Sequence, residues 1–519
     1  MRKAIAKNTG IISLGTNLSR ILGLLRDVLI AKLFGTTYEA GAFVVAFTIP
    51  NMLRDFVGEG AANAAFVPVL TEYKIKKTED EFWRLANVIL NLFAIALVGI
   101  SILGILFSPF IVRLMAPGFI KEAGAIQLTV KLTRVIFPYI LFIGLTAYGM
   151  GILNTLKHFI APAFAPALLN ISLIACAIFL CPRIGVMGLA FGVLLGGVLQ
   201  VIAQIPFLYK KGFRPKLNFN IFHPAAKKIG LLLAPRIVGT GVYQINILVD
   251  RMLASLFWIV GMGGIPALYY SYRLIQYPLA VFSTALATAT LPIMSRQVVE
   301  NDLSNFKSTI SLSLRSVFFI MIPASVGLAV LGKPLIQALF QRGLFNAYSV
   351  SITYQALLFY TIGLFAYGGI RILATSFYSM NNTVTPVKVA ACSLVINIVF
   401  NLILMWPLKI GGLALATSIS ATFNFIALFI ILRKKLGGLE EKRMFISILK
   451  IILASALMGG ICYLLAGKVL KDLAGLNILS NITRLVSVTG VGIVVFLAIS
   501  FLLGMEEPRK LLKWILKKS

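Results

Sequence analysis

Apolar runs long enough to cross a bilayer as helix, which takes about 20 residues each, follow one another along the whole chain. Short polar connections separate them. They place about fourteen spans, at 8–34, 38–71, 84–110, 125–156, 159–181, 184–209, 225–257, 264–297, 309–337, 349–380, 385–408, 411–434, 444–467 and 482–504. The alternation of period two that marks a membrane β-barrel strand is absent. The expected fold is therefore an all-α polytopic membrane protein. A hydrophobic share of 59% agrees with this, since soluble domains run nearer about 45–50% apolar.

An internal repeat organises the spans. IGLTAYG at 143–149 recurs as IGLFAYG at 362–368, and GLA at 188–190 recurs at 412–414. Between these marks each copy has a proline-containing loop, a span with an embedded asparagine (Asn170, Asn397) and a span that ends in lysines. Six spans per half is an even number, so the halves share one orientation, a parallel repeat of the kind that binds substrate between its halves. The expected domains are an N-terminal lobe of helices 1–6 over residues 1–215, a C-terminal lobe of helices 7–12 over 216–438, and two additional helices with a basic tail over 439–519.

Charge then fixes the orientation. The net charge is +31, which in a soluble chain would suggest nucleic acid. Here the surplus lies in alternate connections: MRKAIAK, YKIKKTEDEFWR, LYKKGFRPK, RKKLGGLEEKR and PRKLLKWILKKS. The intervening ones are sparse. By the positive-inside rule both termini are cytoplasmic, and the basic loops meet anionic membrane lipids rather than nucleic acid. No cleavable signal peptide is evident, and the first apolar segment is read as the first span. The four cysteines form no CxxC pair and read as apolar packing. No Walker loop, HExxH, GxSxG or aspartate-rich motif is present, so neither an enzyme nor a resident cofactor is expected.

What the apolar pattern cannot explain is the set of arginines inside it. Arg20 and Arg26 lie in the first span, Arg54 in the second and Arg273 in the eighth. Each costs roughly 2.5–3.5 kcal/mol at the bilayer centre, so they must face a wet interior and meet an anion, or serve only to hold helices together. Arg20 and Asp27, seven apart, share a helix face, and Arg26 lies about 120° round. Arg26 with Asp27, and Arg54 with Asp55, are adjacent and able to pair. A guanidinium fork suits pyrophosphate because it bonds two oxygens at once. Asp27, Glu59 and Tyr272 complete the candidate binding set. Tyr269, Tyr270 and Tyr272 read equally well as interfacial residues, and Pro50 and Pro278 as bends. Asp250, in the seventh span, either pairs with an arginine such as Arg251 or holds a coupling cation, for example sodium, with Asn246 one turn earlier. Arg134, Arg236 and Arg371 sit nearer span ends and rank lower.

Five segments together resemble the MurJ/MviN lipid II flippases of the multidrug/oligosaccharidyl-lipid/polysaccharide exporter superfamily: SRILGLLRD at 19–27, VAFTIPNMLRDFVGEGA at 45–61, FVPVLTEYK at 66–74, APAFAPALLNIS at 161–172 and YYSYRLIQYP at 269–278. The resemblance covers essentially the whole chain. It implies two six-helix lobes around a central cationic cavity, and a groove for a polyprenyl tail near the last two helices. It places the family's functional arginines on Arg20, Arg26, Arg54 and Arg273. Gly41 stands where some members carry an acid in the second span, and Tyr272 where an aspartate often precedes the arginine. The implied activity is movement of lipid II, undecaprenyl pyrophosphate carrying a disaccharide-pentapeptide, between the leaflets of a bacterial cytoplasmic membrane, with transient contact to cell-wall synthesis machinery. A flippase for another lipid-linked oligosaccharide, or a multidrug–cation antiporter, is the alternative. An antiporter usually depends on buried acids, whereas this chain offers arginines.

Overall fold

The computed structural model describes residues 2–54, 61–218, 223–470 and 478–508. Among these residues every regular element is helical. They form two compact units, Met1–Leu256 and Phe257–Ser519. The first holds α1 (Arg2–Phe34), α2 (Tyr38–Arg54), α3 (Ala61–Lys76), α4 (Glu79–Leu106), α5 (Ser108–Met115), α6 (Ala125–Ile136), α7 (Tyr139–Thr155), α8 (Ile160–Phe179), α9 (Cys181–Ile184), α10 (Met187–Lys210) and α11 (Pro224–Ala254). The second holds α12 (Phe257–Val260), α13 (Gly264–Pro278), a π-helical turn (Leu279–Ser283), α14 (Thr284–Val299), α15 (Leu303–Phe340), α16 (Ala347–Ile362), α17 (Leu364–Ser379), α18 (Val384–Leu408), α19 (Ile410–Leu436), α20 (Glu441–Val469) and α21 (Ile478–Leu502).

Ten helical segments among the described residues are long and apolar enough to cross a membrane, or eleven when α16 and α17, bent by 45° at their junction, count as one span. The other three expected spans fall on α1, on α2 with α3, and on α11. α1 and α11 carry charged residues in their interiors, such as Arg20, Arg26 and Asp250, which lowers their apolar character, while α2 and α3 are only 17 and 16 residues long, with residues outside the described set between them.

Helix starts and contacts follow local chemistry. Thr78 and Glu81 form a reciprocal capping box at the start of α4, and Glu79, Asp80 and Glu81 sit where the helix dipole favours anions. On α10 the glycines at 188, 192 and 196 recur every fourth residue and let α8 approach closely. A Cβ at Gly196 would lie 2.7 Å from Leu169 Cδ1, and one at Gly192 would lie 3.0 Å from Cys176 Cβ. Ser172 Oγ donates to the Gly192 carbonyl at 2.8 Å across the same seam. The aromatic core of this unit is built on Phe66, Phe82 and Tyr148, and the Tyr148 hydroxyl donates to the Ala86 carbonyl at 2.6 Å. The connection after α10 is strapped to α4: Asn87 accepts from the Lys216 amide at 2.7 Å, and Asn91 donates to the Lys216 carbonyl at 2.8 Å.

In the second unit α15 is the spine, with α14, α16, α17, α20 and α21 packed along it. The repeat segments occupy like surroundings in the two units. α10 packs on α7 and α8, and α19 packs on α17 and α18. The unit boundary, between residues 256 and 257, follows packing rather than the repeat: α11 lies against α3, α4 and α5, although the repeat counts it as the first helix of the second half.

Candidate functional site

α1 and α8 are held together by a charged cluster. Arg26 and Asp27, 5% and 3% exposed, form an ion pair in which Arg26 Nη2 and Nε donate to Asp27 Oδ1 at 2.7 and 3.0 Å. Arg26 Nη1 donates to Asn170 Oδ1 of α8 at 2.9 Å. Asn170 Nδ2 donates in turn to the Ser19 carbonyl at 3.0 Å and to the Ser19 hydroxyl at 3.3 Å. Two glycines of α1 face α8 here: a Cβ at Gly15 would come 2.4 Å from the Ala163 carbonyl oxygen, and one at Gly23 would rest 3.8 Å from the Asn170 amide. The pair is locally neutral. Removing either partner would break a buried ion pair, which is destabilising. Arg26 thus contacts α8 as well as its own neighbouring acid.

Arg20 is half-buried one face away, with no hydrogen-bond or ion-pair partner among the described residues. Arg54, also half-buried, closes α2. Asp55, Gly58, Glu59 and Gly60 lie outside the described residues, as does the Arg236 side chain.

In the second unit Arg273 is exposed on α13. Its Nη2 meets the Tyr269 hydroxyl at 3.2 Å, and its guanidinium carbon lies 5.2 Å from the centre of the same ring. The three tyrosines therefore separate. Tyr269, one turn before Arg273, carries the cation. Tyr270 is core, packed on Phe340 and Phe345. Tyr272 is half-buried with its ring edge-on to Tyr360 at 5.7 Å. Just beyond Pro278 the helix changes to its π turn, a feature frequent at functional sites. Arg371 Nη1 donates to Thr284 Oγ1, at the far end of that turn, at 2.6 Å.

Asp250 is 8% exposed, and Asn246 Nδ2 approaches its Oδ2 at 3.5 Å. A carboxylate and a carboxamide are hard oxygen donors of the type alkali cations accept, but they supply only part of a shell. No group of three or more His, Cys, Asp or Glu placed to hold a metal ion occurs among the described residues.

The pattern of spans gave no sign of one buried cluster. Arg315 of α15 and Glu507, just past α21, are 3% and 2% exposed, with Arg315 Nη1 2.8 Å from Glu507 Oε1. Ser447 of α20 donates to the same oxygen at 2.8 Å. Glu506 pairs with Arg443 at 2.7 Å and approaches Arg315 at 3.7 Å. The available signal was Arg315 itself, six residues inside the ninth expected span, with the acids of MEEP as candidate partners.

Comparison with known proteins gives a consistent picture. The family profile described as "Lipid II flippase MurJ" matches residues 30–501. The chain is 37% identical over 520 residues to a probable lipid II flippase MurJ of Vibrio cholerae serotype O1, covering 97% of each chain. Among solved structures it is similar to a lipid II flippase MurJ in an inward closed conformation, with a TM-score of 0.78 and 30% identity over 94% of this chain and 97% of that one. It also shares a fold, at a TM-score of 0.70 and 17% identity, with an inward-facing multidrug resistance MATE family transporter, over 82% of this chain and 96% of that one.

Proposed function

The chain belongs to the lipid II flippase MurJ family, and from that premise we propose that it carries lipid II from the inner to the outer leaflet of a bacterial cytoplasmic membrane. It is a multi-pass membrane transporter, not an enzyme. The observation that carries this reading is the near end-to-end match to relatives of that name. Arginines placed inside spans support it chemically. Arg20, Arg26, Arg54 and Arg273, with Asp27, Glu59 and Tyr272, form the proposed headgroup site, where guanidinium forks meet the pyrophosphate. The Arg273–Tyr269 contact adds an aromatic wall beside one of these cations.

A headgroup carrying a disaccharide and a peptide cannot cross hydrocarbon unaided, so the proposed mechanism is alternating access between two lobes while the polyprenyl chain stays in lipid. An inside-negative potential favours outward movement of negative charge by about 2.3 kcal/mol per charge per 100 mV. Asp250 with Asn246 is the proposed contact for a coupling cation such as sodium. Both termini are proposed to be cytoplasmic, with basic loops against anionic lipid and cell-wall synthesis machinery as a transient partner. The polyprenyl chain is proposed to lie against α20 and α21, whose outer faces carry Phe445, Leu449, Tyr463 and Val494 exposed. Photo-crosslinking from those positions to radiolabelled lipid II tests this, and crosslinks found on the first unit alone would exclude it. Likeness to the MATE transporter speaks for the fold only.

The test of function is depletion of the chromosomal flippase in a bacterium and complementation by this chain, with the leaflet distribution of lipid II as readout. Growth rescue with lipid II still confined to the inner leaflet would overturn the reading.

A further inference from the structure

Asn170 lies in the middle of an apolar helix, where a buried carboxamide is costly unless every polar atom is used. Its two ends face chemically opposite partners. Oδ1 meets the Arg26 guanidinium, a donor with no acceptor, at 2.9 Å. Nδ2 meets the Ser19 carbonyl, an acceptor with no donor, at 3.0 Å. The amide therefore has one workable orientation. Ser19 precedes Arg20 directly, and Arg26 lies seven residues beyond Ser19. One side chain of α8 thus fixes α1 at two points that bracket its arginines.

The second copy of the repeat provides an internal comparison. Asn397 also sits buried mid-helix, but its partners are neutral: Thr417 Oγ1 at 3.3 Å, and Asn401, which donates to it at 2.8 Å. Helix-to-helix adhesion alone is met by that arrangement. In the first unit the same amide engages a charged group.

We propose that Asn170 is a positioning residue for the headgroup site: it holds Arg26 and Asp27 against α8 and sets the register at which α1 presents its arginines to pyrophosphate. This rests on the reading that the α1 arginines meet that group. Only a carboxamide of this length can do both jobs. Alanine loses both contacts. Aspartate keeps the acceptor for Arg26, faces the Ser19 carbonyl with a second acceptor, and leaves the cluster with an extra negative charge.

The test uses the full chain in lipid nanodiscs and undecaprenyl pyrophosphate as the probe. Binding affinity and thermal stability are measured for the parent, Arg26→Ala, Asn170→Ala, Asn170→Asp and the double variant Arg26→Ala/Asn170→Ala. The parent is expected to bind. Arg26→Ala and Asn170→Ala should each weaken binding roughly 10- to 100-fold, the range for a hydrogen bond to a charged group, and the double variant should bind no more weakly than Arg26→Ala alone. Asn170→Asp, close in shape to the parent, should fold and still lose binding, so the test does not depend on the alanine variant being stable. A parent that does not bind the probe defeats the functional reading, and the inference with it. Loss in Arg26→Ala with parent-like binding in Asn170→Asp overturns the positioning role alone. So does a double variant whose losses multiply, since that pattern marks two independent packing effects.

Discussion

Arg26 and Arg315 are both arginines buried among helices, and what separates them is the distance to their acids along the chain. Arg26 pairs with the next residue; Arg315 pairs with Glu507, 192 residues away. The first pairing is legible in sequence because adjacency limits the choices, whereas the second depends on which helix ends meet. Asn170 falls between these cases, since its repeat position marks it as unusual and only the fold reveals Arg26 as its partner. Arg273, by contrast, is exposed, and it meets an aromatic hydroxyl and ring. Arg273→Ala is expected to abolish complementation of a flippase-depleted strain. Arg273→Lys should restore it only partly, because lysine keeps the charge and loses the fork. Full rescue by lysine would mean charge alone suffices. The glycines of α1 give a stability contrast. Gly15→Ala places a methyl 2.4 Å from a backbone oxygen of α8 and should cost about 1–3 kcal/mol. Gly23→Ala meets only ordinary contacts at 3.8 Å and should unfold with the parent in a thermal scan.

Among the elements, two histidines outside the spans tie stability to pH. His223 caps α11, its Nδ1 accepting from the Ala225 amide at 3.2 Å. Burial, with the charge of Arg84, holds its pKa below the usual value. His158 lies against Phe207, and burial, with Lys211, lowers it likewise. Both hold a proton less readily in the folded chain than when it unfolds. Their contribution is therefore intact above the unfolded pKa of about 6.5 and is lost as pH falls from there through their depressed folded values. Glu72, held low by Lys228 and Lys76, acts only below the carboxylate range, so the window from about pH 7 to 5 isolates the histidines. The melting temperature in detergent should drop across that window and flatten in His158→Phe/His223→Ser; an unchanged slope would remove them as the cause. At this scale the fold was largely legible. Ten or eleven of the fourteen expected spans coincide with helices long and apolar enough to cross a membrane among the described residues, because apolar length is set by the bilayer and written in composition. What composition hid was where a span breaks. The bend between α16 and α17 sits at Gly363, where a Cβ would come 2.8 Å from the Ser418 Cα, and that crowding is set by another helix.

For the molecule, the repeat read from the sequence stops short of α20 and α21, which need their own attachment. They pack against α15 and each other, and the attachment ends in the buried cluster where Arg315, Ser447 and Glu507 meet. That cluster joins the spine, the first added helix and the segment past the second, so it fixes both added helices on one unit. Desolvating such a pair offsets most of its attraction, but breaking it leaves a bare buried charge, which typically costs about 3–5 kcal/mol. Glu507→Ala should fall toward the low end, because Glu506 still lies 3.7 Å from Arg315. Arg315→Ala should cost more, since it strands Glu507 at 2% exposure beside the Ser447 hydroxyl. Replacing both by apolar residues of similar volume, Arg315→Met with Glu507→Leu, should bring stability back near the parent, because no charge is then left behind. Thermal unfolding followed by limited proteolysis between α19 and α20 reads both quantities: the midpoint, and whether the added helices detach first. If the single variants melt with the parent, the cluster does not hold those helices. If the double variant is as unstable as Arg315→Ala, what matters is the hydrogen bonding of the pair rather than the stranded charge.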